Sequence, residues 1–119
     1  MRAASAVVNG GNLVTPHFGV YTTDENNNVT EVLKYETKTG AVSTATSETM
    51  KGLLEAVVAE GTGHRAYIAG YSIGGKTATS EKLPRSENRY ISSFLGFSPA
   101  DNPQVMTLIL IDETQGYCN

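Results

Sequence analysis

Thr46, Met50, Leu53, Leu54, Val57 and Val58 recur at spacings of three and four. That period puts them on one face of a helix of about four turns. Ser43 stands where an N-cap belongs, with Val42 before it as a hydrophobic staple, and Gly61 supplies the C-terminal stop. Near the start of the chain, Arg2 to Asn9 carries Ala3, Ala4, Ala6, Val7 and Val8 and runs into Gly10-Gly11. This reads as the last two turns of a helix, and since no Ser, Thr, Asp or Asn precedes Arg2, its beginning is expected to lie on polypeptide upstream.

Elsewhere the pattern changes to the short β-branched and aromatic runs of strands. Pro16 to Tyr21 and Val29 to Tyr35 flank the polar stretch Thr22 to Asn28, which predicts a surface hairpin. Ala69 to Ser80, Tyr90 to Phe97 and Val105 to Glu113 follow, separated by turns containing Pro84, Pro99 and Pro103. Such short connections predict an antiparallel meander. The fold class expected is therefore α+β: an antiparallel sheet of about three core strands plus a hairpin, with one main helix. In the last strand Met106, Leu108 and Leu110 alternate with Val105, Ile109 and Ile111. Apolar residues on both faces call for cover on both, and one helix and a stub are too little to supply it. The 119 residues are accordingly expected to be an incomplete single domain.

Composition narrows the partners. Twelve acidic and nine basic residues give a net charge of −3, without the basic footprint that nucleic acid requires. The longest apolar run, Leu108 to Ile111, falls far short of the ~20 residues that span a bilayer, and Met1-Arg2-Ala3 does not open a signal peptide. Cys118 is the only cysteine, so no internal disulfide forms, and it reads as an ordinary terminal thiol. His17 and His64 have no Cys, Asp or Glu at ligand spacing, so neither a metal nor a cofactor is expected. Glu48, Glu55 and Glu60 with Lys51 read as a solvated helix face. Gly74-Gly75 precedes a strand and not a helix, which excludes a phosphate loop.

The chemistry concentrates in Tyr67-Ile68-Ala69-Gly70-Tyr71-Ser72-Ile73-Gly74-Gly75-Lys76-Thr77-Ala78-Thr79-Ser80-Glu81-Lys82. A period of two places Thr77 and Thr79 on one face, two hydroxyls close enough for a single carboxylate to be within reach of both, with Lys76 adding charge from its long stem. This stretch resembles the lysine-threonine-glycine strand of the class B penicillin-binding proteins, the monofunctional peptidoglycan transpeptidases. Asn9 to His17, Met50 to Gly63, Phe94-Leu95-Gly96-Phe97-Ser98-Pro99-Ala100 and Leu110-Ile111-Asp112-Glu113 resemble that family's flanking segments in the same order. The likeness is weakest in the hairpin and in Gly116 to Asn119.

The resemblance implies the C-terminal part of a transpeptidase domain with a partial β-lactamase-like fold. It implies Lys76 as a catalytic residue, Thr77 and Thr79 as substrate-binding hydroxyls, and the backbone N–H of Thr79 as an oxyanion donor. The partners implied for the parent are a peptidoglycan stem peptide and β-lactams, and its implied location is outside the cytoplasm on a membrane anchor. The family's nucleophile motif, S-x-x-K, is absent, because no serine in the chain is followed three residues later by a lysine. The chain alone is therefore expected to be inactive.

Two literal motif matches are decoys. Ser86-Glu87-Asn88 spells the family's S-x-N motif but follows the lysine strand instead of preceding it, and reads as a turn. Lys38-Thr39-Gly40 spells the lysine motif in a polar connector with no strand pattern around it. At the real site Ala78 stands where the family has glycine, which is expected to disturb close packing behind the strand. Two other readings are open to the sequence. One is a small non-catalytic module forming a homodimer through exposed strands, and the other a serine hydrolase of the β-lactamase type, which fits the Phe94 to Ala100 segment less well.

Overall fold

A computed structural model describes residues 1–113. Cys118 and the Gly116 to Asn119 segment lie outside the described residues. The chain divides into two compact units, Arg2–Ser47 and Met1 with the residues from Glu48 onward.

In the first unit, α1 (Arg2–Val8) buries Ala6 and Val8. It ends as the sequence requires: Gly10 and Gly11 adopt φ of 81° and 89°, and the Gly11 N–H donates to the Ala6 carbonyl at 3.0 Å. Only glycine fits at position 11, where a Cβ would come within 2.0 Å of the Val42 carbonyl oxygen. Asn9 and Asn12 close the turn, the Asn9 Oδ1 accepting the Asn12 N–H at 2.8 Å and the Asn9 Nδ2 donating to the Asn12 carbonyl at 2.8 Å.

Four short strands follow: β1 (Leu13–Val14), β2 (Tyr21–Thr23), β3 (Val29–Val32) and β4 (Thr37–Lys38). β2 and β3 form the expected hairpin, with Tyr21 opposite Val32. Its first strand starts later than the sequence pattern indicated, at Tyr21 instead of Pro16. The ladder instead runs on into Thr22 and Thr23, up to a turn in which the Asp24 carboxylate accepts the Asn26 and Asn28 N–H groups at 2.9 Å each. A side-chain hydrogen bond from the Asn28 Nδ2 at 3.1 Å, followed by these backbone bonds, holds the Asp24 carboxyl below its usual range. β1 and β4 pair antiparallel, Leu13 opposite Lys38.

The main helix, α2 (Thr44–Ala59), begins in the first unit and continues in the second. Its cap is the one expected: the Ser43 Oγ accepts the Thr46 N–H at 3.0 Å. After α2 the chain turns over Gly61 and Gly63, where a Cβ would meet the Val57 carbonyl oxygen at 2.9 Å and 3.1 Å, and passes through a 3-10 turn at His64–Ala66.

The meander is formed by β5 (Gly74–Glu81), β6 (Tyr90–Ser98) and β7 (Val105–Asp112), all antiparallel in the order β5-β6-β7. Residues 69–73, expected in the first of these strands, are irregular. Gly70 has a φ of 86°, and the Tyr71 N–H bonds back to the Ile68 carbonyl at 3.1 Å. Ser72 then serves as a fastener: its Oγ donates to Glu55 on α2 at 2.7 Å and accepts the Ala100 N–H at 3.1 Å.

Buried hydrophobic residues of this unit are Val58, Phe97 and Ala100. The two glycines before Lys76 are explained by the rings that cross them. Phe97, directly opposite Gly74, lies over it on one face, and Phe94 lies over Gly75 and Gly96 on the other. Against this, β7 is open on both faces, with Val105, Leu108, Ile109, Leu110 and Ile111 all exposed. The two-sided apolar pattern read in the sequence is thus present without cover among the described residues.

Candidate functional site

Lys76, Thr77 and Thr79 all fall on β5, which pairs only with β6 among the described residues, so its other edge is free. Register fixes their faces. Thr77 stands opposite Phe94 and Thr79 opposite Ser92, while Lys76 and Ala78 alternate to the far face opposite Leu95 and Ser93. The two hydroxyls therefore share a face, as the spacing implied. Lys76 is exposed, and its ammonium donates to the Thr77 carbonyl at 2.6 Å. Two hydroxyls on one face and an ammonium on a long flexible stem from the other thus sit within four residues of one strand. That arrangement suits recognition of an extended anionic ligand.

The Thr77 face is walled by the segment that follows α2. A groove of about 590 Å³ runs there, lined among others by Thr62, Arg65, Ile68, Ile73, Thr77 and Phe94. Its walls are chiefly apolar, and the Thr77 Oγ1 donates to the Thr62 Oγ1 at 3.2 Å. Thr62 was not singled out from the sequence. Gly61-Thr62-Gly63 identified the place, but nothing in a linear pattern says that a hydroxyl after one helix meets a hydroxyl on a strand fifteen residues later.

Other expectations are met or corrected. Ala78 is exposed among the described residues. Lys38-Thr39-Gly40 does touch a strand after all, since Thr37 and Lys38 pair with β1; two backbone partners suffice for pairing where side-chain pattern gives no signal. Ser86-Glu87-Asn88 is a turn, a 3-10 segment at Arg85–Glu87 closed by Asn88 with φ 49°. The helix face of Glu48, Lys51, Glu55 and Glu60 is only partly solvated. The Lys51 side chain is 11% exposed, bridging Glu48 at 2.9 Å and donating to the Asp101 carbonyl at 2.6 Å, and Glu55 holds Ser72.

His17 stacks on Tyr35 at 3.7 Å and His64 on Tyr67 at 6.0 Å. Among the described residues no group of three His, Cys, Asp or Glu side chains is placed to hold a metal, and no helix is long and apolar enough to cross a membrane.

At the opposite end of the sheet a charge cluster ties the outer strands together. Lys82 reaches Asp112 at 3.0 Å and Glu113 at 2.8 Å, and Arg89 reaches the same Glu113 oxygen at 2.8 Å. Hydrogen bonds from Lys82, then Arg89, hold the Glu113 carboxyl below its ordinary value, and those to Glu113 and Asp112 raise the Lys82 ammonium. These groups are open to solvent, so their mutual attraction is screened.

Residues 1–119 match the model of the penicillin binding protein transpeptidase domain. The chain is 41% identical over 121 residues to stage V sporulation protein D of Bacillus subtilis, a match covering 98% of this chain and 19% of that protein. It is 34% identical over 121 residues to the peptidoglycan D,D-transpeptidase FtsI homolog of Mesostigma viride, covering 88% and 20%. The chain thus spans about a fifth of the length of these two curated relatives. Among solved structures, the D,D-transpeptidase domain of a peptidoglycan glycosyltransferase from Eggerthella lenta superposes with a TM-score of 0.85 at 31% identity, covering 96% of this chain and 26% of that one.

Proposed function

The chain belongs to the penicillin-binding protein transpeptidase family, and from that premise we propose that β5 is the substrate-gripping strand of a peptidoglycan D,D-transpeptidase. The observation that carries this reading is the placement of Thr77 and Thr79 on one face of a strand whose other edge is unpaired among the described residues, with Lys76 on the opposite face and its ammonium on the Thr77 carbonyl.

In this reading a serine on polypeptide outside these residues attacks the carbonyl of a D-alanyl-D-alanine stem peptide. Its Oγ forms the acyl bond and the terminal D-alanine leaves with a proton. A neighbouring amine then attacks the ester, forming the cross-link and restoring the serine. Thr77 and Thr79 hold the terminal carboxylate, Lys76 stabilises negative charge and assists proton movement, and the Thr79 N–H donates to the developing oxyanion. β-Lactams enter as carboxylate-bearing acylating agents at the same place. The parent works outside the cytoplasm on a membrane anchor, where its substrate is.

The 119 residues hold no S-x-x-K, so they bind without acylating. Mass spectrometry after incubation with a penicillin is expected to return the unmodified mass. A stable adduct on any serine of the chain would overturn this assignment of the nucleophile.

One observation favours a second reading, a non-catalytic role through self-association. β7 pairs only with β6 among the described residues and exposes apolar side chains on both faces, with Leu110 63% and Ile111 54% exposed. Such an edge pairs readily with a second copy. Sedimentation at rising concentration separates the two readings, a monomer throughout speaking against the homodimer.

A further inference from the structure

Thr62 is held where it is by its neighbours. Gly63 is buried, its N–H donates to the Val57 carbonyl at 2.9 Å, and the His64 N–H donates to the Gly61 carbonyl at 3.1 Å. Neither flanking glycine accepts a Cβ without pressing on the Val57 carbonyl. The Thr62 hydroxyl is thus carried on a tight turn at the end of α2 and meets Thr77 at 3.2 Å.

A threonine hydroxyl has one proton to give and two lone pairs to receive with, and its side chain occupies one of three staggered positions. In the free chain Thr77 spends its proton on Thr62. A carboxylate arriving at β5 needs that same proton.

We propose that Thr62 is a positioning residue for Thr77, resting on the reading of Thr77 as a carboxylate grip. It fixes the Thr77 rotamer in the free chain. When a carboxylate binds, the Thr77 O–H turns to the ligand and the Thr62 O–H turns to donate into the Thr77 lone pair. No proton changes owner; two hydroxyls rotate in concert, and the second bond polarises the first. Thr62 touches no substrate in this scheme and acts only through Thr77.

The test is an NMR titration of the isotopically labelled chain with N-acetyl-D-alanyl-D-alanine, in the wild type, Thr62→Val and Thr62→Ser. Thr62 is exposed, so both variants keep the fold, and unchanged β6 and β7 resonances verify it. Thr62→Val is expected to weaken binding about three- to tenfold, while Thr62→Ser, which retains the hydroxyl, stays near wild type. Without ligand, the three-bond couplings of Thr77 are expected to show one rotamer in the wild type and in Thr62→Ser but averaging in Thr62→Val.

A wild type that binds, with Thr62→Val binding equally well and Thr77 still in one rotamer, overturns the positioning role alone. A wild type showing no saturable shift at Thr77 and Thr79 overturns the carboxylate grip, and the positioning role with it.

Discussion

Replacing Gly74 with alanine tests the packing that carries Lys76. A Cβ at this position would lie 2.3 Å from the Phe97 Cζ and 2.8 Å from each Cε, where ordinary carbon contacts are about 3.5–4.0 Å. Phe97 is only 2% exposed, so the ring has no open space to swing into. Overpacking of this kind costs about 1–3 kcal/mol. An opposing effect must be subtracted: alanine lowers the entropy of the unfolded chain, which stabilises by about 0.4–1 kcal/mol where the backbone permits it. The Gly74 backbone does permit it, since its φ lies outside the left-handed region.

Steric pressure is therefore expected to win, with Gly74→Ala less stable by about 1–2 kcal/mol. Urea unfolding of Gly74→Ala, Phe97→Leu and the double variant measures it. Phe97→Leu alone loses part of a buried ring and destabilises by less than the about 3–5 kcal/mol of a ring-to-alanine change. In the double variant the smaller side chain makes room for the new methyl, so the two losses fall short of additive by more than about 0.5 kcal/mol. Gly74→Ala as stable as the wild type, or losses that simply add, would refute the claim that the glycine exists to admit the ring.

Two further outcomes follow from the structure. Ser43→Ala removes the acceptor for the Thr46 N–H at the start of α2 and is expected to cost about 1 kcal/mol in urea unfolding. Glu113→Gln is expected to lower the melting temperature near neutral pH but not in acid: a depressed carboxyl pKa stabilises above the ordinary glutamate value of 4.5 and is lost as pH falls through the lower folded value. The melting curves of wild type and variant should therefore converge only once the pH has fallen below the lowered folded value, and a difference that persists in stronger acid would show that the Lys82 and Arg89 contacts are not its source.

The elements with their own local signals were legible in the sequence. α2 could be bounded because cap, apolar face and stop residue are all read within one helix. The α1 stop was equally plain, since Gly10-Gly11 announces a left-handed turn. The hairpin ladder reaches past Tyr21 into Thr22 and Thr23 because the Asp24 turn is closed by carboxylate-to-backbone bonds that the apolar pattern does not encode. Residues 69–73 carry strand-forming side chains, yet Ser72 bonds sideways to α2 and to Ala100 and keeps the segment irregular.

The alternation along β5 is a local property of extended backbone, so the sequence by itself determined that Thr77 and Thr79 share a face and that Lys76 opposes them. The family resemblance could likewise be read there, from motifs in order along the chain. Only the tertiary structure decided what those side chains meet. Thr62 at the Thr77 hydroxyl, Phe97 over Gly74 and the Lys82 clamp on Glu113 are all contacts between residues distant in sequence. Their partners are chosen by strand register and by the turn after α2, and a linear pattern encodes neither, because period says which way a side chain points and not what stands in front of it.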